Sequence, residues 1–535
     1  MAEIAIGPAG TENVQSESRT FKVSRSLGLS SVVVFTVASI SLAYGGAFPF
    51  SSVAGVWPGA NLFIVITLAM GIGLLFAYIY AAIGASIPHF GADYLIASRV
   101  LPPPLAFASS WTMVIFYGVL GGSIIASIPS RWLPTSLRLL STLTGREELL
   151  SPIAWINSAN GIATLGSLAV VVLFLLMMLP PRVTQRVLLA GLLLSLVGWG
   201  IIYYQFGFAT SADFPAAWDK IHGSGSFLDH LQRGREAGMS ADYGLERTLI
   251  AGLTLGLWII FGHTNVVMFS RQVRSPEKNL FRGISLGLLI FWLVVGAGVF
   301  LVQRVIPLEW LAAESTLYLS GAADANPWLI LYGAVLNPSP LLIGFVSAAW
   351  IFSILNMALT ILYTATRELI AWAEDEVIPG DVAFIHPVLN SPLIALLLVC
   401  IAAVFGVVKA ALDGGLLQNF VPVYIMAFVV ILPTLAVALM PFLRRDIFEQ
   451  APSFVRIKIG PLPLITLVGL LGIGYLGWSI WMNSALKISG GMDFQTLGAI
   501  GLLFGSGIVW FVGRMALLHS RGKNISTMFK NIPTD

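Results

Sequence analysis

A chain of 535 residues that is 57% hydrophobic and only 10% charged cannot clothe a water-facing globule, which carries about a quarter of its residues charged. It has to face lipid, and its mean hydropathy of +0.87 says the same. A net charge of +3 implies no general attraction for nucleic acid, and the single cysteine, Cys400, excludes an internal disulfide and a cysteine-built metal cluster.

Residues 1–24 are polar, lack the apolar core of a signal peptide, and read as a disordered cytosolic tail. Apolar runs of the roughly 20 residues needed to cross a bilayer follow near 27–55, 58–86, 104–130, 155–179, 187–209, 248–270, 283–303, 338–366, 392–410, 416–441, 462–484 and 494–517. They make one transmembrane domain over 25–518, ahead of a second cytosolic tail at 519–535. Twelve spans put both termini on one side. The short connections on that side carry Arg182, Arg186, Arg271, Arg274, Lys278 and Arg282, so the positive-inside rule places both termini in the cytoplasm and the chain in the cytoplasmic membrane. Three longer connections, 131–152, 210–247 and 307–338, are expected to cap the outer face, whereas 372–392 is short and acidic. Trp57, Trp111, Trp132, Trp155, Trp310 and Trp328 fall mostly near span ends, where an interfacial aromatic belt is the default expectation.

Two spans are interrupted in the same manner. Ser39, Ser41, Tyr44, Gly45, Gly46 and Pro49 break the first, and Gly252, Gly256, Gly262, His263, Thr264 and Asn265 break the sixth. They stand five spans apart, the spacing of transporters built from two inverted five-helix repeats, here 27–209 and 248–441, whose discontinuous helices meet near the bilayer midplane. Unwound backbone is tolerable in hydrocarbon only where it is buried in protein or lines a cavity. Exposed amides at a half-helix start attract a carboxylate, free carbonyls at a half-helix end attract an ammonium, and an amino acid carries both. The alternative is that Gly, Ser and Pro here only allow helices to approach closely.

Three stretches resemble the amino acid–polyamine–organocation (APC) permease family: Ile87–Phe107 (IPHFGADYLIASRVLPPPLAF), Gln272–Ile284 (QVRSPEKNLFRGI) and Arg367–Pro379 (RELIAWAEDEVIP). The chain departs from that family's pattern at Ser39-Ile40-Ser41, Ala92, Gln272 and Glu376, which marks a divergent branch. The resemblance implies an all-α membrane protein of about 12 transmembrane helices, a 5+5 inverted repeat with spans eleven and twelve (462–517) outside it. It also implies that Ser39, Ile40, Ser41, Leu42 and Ala43 receive a substrate carboxylate, and that Ile259, Phe261, Gly262 and His263 receive its amine. Trp258 falls at the aromatic gate over the substrate, and Tyr117 faces the same cavity. Members of the family place a cation, or a protonated substitute, between spans one and eight, where Ser353 and Asn356 fall; Ser195 lies nearest the position of a span-five lysine found in some proton-coupled relatives.

His263 has two readings, a coupling-proton carrier or a neutral imidazole bonded to backbone freed by the break. Asn356 likewise lines an ion site or acts as interhelical glue. Arg367 and Asp375, with Arg99 or Asp93, form an inner gate or a plain interfacial charge cluster. No cofactor is expected, only H+ or Na+ as coupling ion. An enzyme is not expected: no pair of histidines at i, i+4 with Glu between, no Gly-rich nucleotide loop with Lys and no membrane-embedded carboxylate pair appears in the sequence. Thr264 stands where relatives that carry arginine or its decarboxylation product have an acid. The expected function is therefore secondary transport of a neutral amino acid by alternating access. The alternatives are a permease for an organic cation, polyamine or nucleobase, and a channel.

Overall fold

The computed structural model describes residues 25–240, 242–322, 328–387, 389, 391–412, 422–487 and 491–532. The expected tail over 1–24 lies outside the described residues. Eleven helices among them are long and apolar enough to cross a membrane. Spans one to five are Leu29–Val56, Leu62–Ser86, Pro103–Thr144, Ala159–Met177 and Pro181–Gly207; seven to nine are Pro276–Val305, Pro340–Glu374 and Leu393–Leu412; ten to twelve are Val423–Leu443, Leu464–Ala485 and Phe494–Ser520. The protein is an integral membrane protein and nearly all helical, with one short antiparallel pair, Lys458–Ile459 against Leu462–Pro463. The sixth span is absent from this set because its α-helix, Leu245–Ile259, stops after 15 residues. The chain goes on through turns and two 3-10 segments, Asn265–Met268 and Ser270–Gln272.

Local chemistry sets the helix starts. The Asn61 side chain accepts the amides of Phe63 and Ile64 at 3.1 and 3.2 Å, taking two donors that the first helical turn leaves unpaired. Spans three, five, seven and eight open with Pro103, Pro181, Pro276 and Pro340 in the first turn, where proline loses no hydrogen bond and its ring already has the helical φ. Span three overruns the expected end near residue 130. A wide turn over Ile128–Trp132 carries it into Leu133–Thr144, and Gly145 ends it at φ 68°.

Spans one and three are the most enclosed, with 72% of their central windows buried, against 22% for span twelve. Span three crosses span nine backbone to backbone: a methyl group on Gly122 would lie 1.8 Å from the Ala403 carbonyl oxygen, and one on Gly406 2.0 Å from that of Val119. Small residues permit such contact where no hydrophobic force drives helices together. Outward-facing leucines and valines of the peripheral spans, such as Leu168, Leu193, Leu397 and Leu502, are left for lipid.

The connections 208–244 and 306–339 fold into four short helices, Asp213–His222, Ser226–Glu236, Leu308–Leu319 and Leu329–Leu336. They close over Trp310, whose ring lies 5.0 Å from Phe214 and 4.8 Å from Trp218. Here the belt expectation fails. Trp310, Trp328 and Trp132 are buried inside the cap, with Trp132 stacked on Trp328 at 3.5 Å, because the folded connections supply protein surface where bare span ends would have met lipid. Trp155 alone of the six is half-exposed, at 51%.

Candidate functional site

Span one loses its α-helical winding at Ser41, which stands at φ 61°, ψ 116°. A non-glycine residue there costs on the order of 1–3 kcal/mol. Its hydroxyl helps hold the kink, accepting the Tyr44 amide at 3.1 Å and lying 2.9 Å from the Ser353 hydroxyl of span eight. Pro49 follows, inside a second wide turn, Pro49–Val53. Span six breaks after Ile259 and turns through Gly262 at φ 87°.

The two breaks touch. A methyl group on Gly262 would sit 3.0 Å from the Ser39 carbonyl oxygen, and one on Gly45 3.2 Å from that of Ile259. The Leu42 carbonyl accepts the Trp199 indole of span five at 3.3 Å, and the Tyr117 hydroxyl donates to the Asn265 carboxamide at 3.0 Å. Around this crossing Ser39 Oγ and Asn265 Nδ2 are buried without hydrogen-bond partners. Buried polar atoms are nearly always paired, and these two at the touching breaks are not.

A small, partly open space of about 30 Å³ adjoins the crossing, bounded by Phe76, Tyr80, Met113, Tyr117, Phe261 and His263 among others. Of the expected substrate residues, Tyr117, Phe261, Gly262 and His263 line this space; Ser39, Ile40, Ser41, Leu42, Ala43, Trp258 and Ile259 do not. Trp258 instead packs on Phe261 at 5.5 Å. A second cavity of about 100 Å³ lies beyond the span-one kink, lined by Tyr44, Ser51, Ser52, Arg131, Trp132 and Trp328.

The candidates for ion coupling separate. Ser353 meets Ser41. Asn356 donates to the Leu188 carbonyl of span five at 3.3 Å, and Ser195 turns its hydroxyl back to the Gly191 carbonyl one turn earlier, at 2.7 Å. His263 Nδ1 lies 3.0 Å from the Ile260 carbonyl freed by the break.

On the opposite side of the central space, Asp375 takes a two-pronged contact from Arg99 at 2.5 and 2.7 Å. Their side chains are 5% and 1% exposed, so this is a buried clamp and not an interfacial cluster. The carboxyl-terminal segment braces it. Arg99 Nε donates to the Asn531 carbonyl at 3.2 Å, its guanidinium lies 5.7 Å from the Phe529 ring, and Arg444 donates to the Lys530 carbonyl at 2.9 Å. Arg367 takes no part in the clamp. Its guanidinium rests among the rings of Phe90, Phe269 and Tyr363 at 4.9, 5.0 and 4.7 Å.

A buried carboxyl pair lies outside the apolar runs read from the sequence. Glu368 of span eight and Asp93, on the helix Ala92–Val100, are both buried and lie within electrostatic reach of each other. They lie 275 positions apart in the chain, which is why no local pattern shows them. Glu368, which the helix Pro340–Glu374 carries beyond the expected end of span eight, gave no signal in the sequence; Asn265 at the second break did.

The family model described as amino acid permease matches residues 27–504. An uncharacterized transporter of Rhizobium meliloti (strain 1021) is 21% identical over 439 residues, covering 80% of this chain and 82% of that protein.

Proposed function

This chain belongs to the amino acid permease family, and from that premise we propose that it moves a neutral amino acid across the cytoplasmic membrane by alternating access, with both termini in the cytoplasm. The observation that carries the reading is the contact between the interrupted segments around Ser41 and Gly262, with buried polar atoms unpaired at both. The helix Leu245–Ile259 ends there, leaving last-turn carbonyls for an ammonium, and the second half of span one begins there, presenting amides to a carboxylate. No Asp or Glu is among the residues lining the central space. A diamine would bury charge there without a counterion, at high cost, whereas a zwitterion brings its own carboxylate. In this conformer the Arg99–Asp375 clamp closes the side expected to be cytoplasmic, and the larger cavity beside Arg131 lies on the other. Transport then consists of opening the clamp while that cavity closes around a fixed midplane site.

Competition in proteoliposomes tests this. Uptake of a labelled mixture of amino acids should be blocked best by small or apolar neutral amino acids. Arginine or putrescine competing best would overturn the neutral assignment, and uptake of nothing in the mixture would overturn the amino acid assignment itself.

A further inference from the structure

The buried carboxyls of Asp93 and Glu368 are used by neither the breaks nor the clamp. Glu368 is 0% exposed and Asp93 3%. Two ionised carboxylates buried near each other repel and lose their hydration, so the arrangement favours a proton on one of them. Glu368 points to the same requirement independently. Ser110 donates to its Oε2 at 2.6 Å, with the Ser110 oxygen held in turn by the Trp372 indole at 2.8 Å, yet Oε1 is buried and no protein donor reaches it. A shared proton supplies that donor.

Among the described residues, the two buried guanidiniums nearby are engaged elsewhere. Arg99 is engaged by Asp375, and Arg367 lies over three aromatic rings. The phenols of Tyr80 on span two, Tyr94 beside Asp93, and Tyr117 on span three lie within electrostatic reach. Burial pushes the Asp93 carboxyl above its ordinary value.

Position gives the pair a role. A small cavity lined by Asp93, Tyr94, Ser109, Ser110 and Met113 adjoins it, and Met113 also walls the central space. Tyr80 and Tyr117 line that space, while Tyr94 lies within reach of both Glu368 and the Arg99–Asp375 clamp. The pair therefore stands between the substrate region and the gate, with its two halves on different elements: Asp93 shares the helix Ala92–Val100 with Arg99, and Glu368 shares span eight with Ser353.

We propose that Asp93 and Glu368 hold one exchangeable proton between them and that this proton is the coupling ion of transport. It binds while the clamp is shut, forming an O–H bond on one carboxyl and leaving a single negative charge on the pair. When the clamp opens and the helix Ala92–Val100 moves from span eight, the carboxyls part and hydrate. The O–H bond breaks, and the proton passes to water on the cytoplasmic side. The proposal rests on the transport reading above and names its driving ion.

The test uses the full chain in liposomes enclosing a pH indicator and supplied with a labelled mixture of the twenty amino acids. For one proton per substrate, an inward gradient of about one pH unit should support up to about tenfold accumulation. Uptake should acidify the lumen, and replacing sodium by choline should change nothing. In Glu368→Gln, and separately in Asp93→Asn, gradient-driven accumulation and acidification should disappear while exchange of internal for external label, which needs no net proton movement, persists and shows that the variant is folded. Wild-type gradient dependence in folded Glu368→Gln, or accumulation driven by sodium, would overturn the proposal. Absence of any uptake by the wild type would instead end the transport reading and the coupling role with it. An infrared carboxylic-acid band of the purified protein, present in the wild type and lost in Glu368→Gln, would then still decide whether the pair holds a proton; equal bands would show that it does not.

Discussion

Arg99 and Arg367 bring the same guanidinium into the same buried region and use it differently. Arg99 meets Asp375 through two parallel hydrogen bonds, a geometry that a planar fork matches to a carboxylate. Arg367 meets rings, and its Nε has no hydrogen-bond partner. Removing one member of a buried ion pair strands the other charge at a cost of about 3–5 kcal/mol, whereas a cation over aromatic rings contributes about 0.5–2 kcal/mol. Arg99→Ala should therefore lower the thermal unfolding midpoint of the detergent-purified protein far more than Arg367→Met, and Arg99→Ala combined with Asp375→Ala should recover part of the loss. Equal effects of the two single substitutions would show that the clamp is no more than a packing contact. The stretches Ile87–Phe107 and Arg367–Pro379 made the two arginines visible as gate candidates; their division of labour depended on which neighbours folding placed beside each.

At the scale of elements, the cap over 213–236 and 308–336 owes its form to aromatic packing and to a few polar ties. Asp219 accepts the Phe227 amide at 2.7 Å and closes the turn between the first two cap helices. In the same cluster His230 lies 2.8 Å from Glu314, and His222 packs against Trp218 at 4.2 Å. Burial, then the nearby His230, holds the His222 imidazole below its ordinary value. A histidine depressed in the folded state favours the neutral form, so its contribution to stability is present above the unfolded value near 6.5 and is lost as pH falls below it. Limited proteolysis in the turn 223–225 should accelerate between about pH 7.5 and 5.5 in the wild type, and His222→Gln should flatten that dependence. An unchanged profile in His222→Gln would assign the effect to another group. The sequence shows these connections as long and rich in tryptophan; that the tryptophans would meet one another rather than lipid follows only from the stacking of four short helices.

Across the whole molecule, stability depends on where backbones touch. Gly122 of span three would place a methyl group 1.8 Å from the Ala403 carbonyl, whereas Gly505 of span twelve meets nothing within 4 Å. Gly122→Val should push spans three and nine apart and cost about 1–3 kcal/mol or more. Gly505→Val should leave the yield of monodisperse protein and the unfolding midpoint near wild type. If both variants behave alike in size-exclusion chromatography, the close crossing does not hold the scaffold together.

Hydropathy alone determined that the chain is a membrane protein, how many spans it attempts and roughly where each begins, because lipid tolerates only long apolar helices with their backbones paired internally. The breaks in spans one and six were equally legible, since glycine, serine and proline at those positions are local facts about backbone freedom. Pairings between distant residues belonged to the tertiary structure: Ser41 with Ser353, Arg99 with Asp375, Asp93 with Glu368. A side chain's partner across hundreds of residues is chosen by helix packing, which leaves no periodic trace in the sequence. A carboxyl that looks like an isolated charge on one helix becomes half of a proton-sharing pair only when another helix is laid against it.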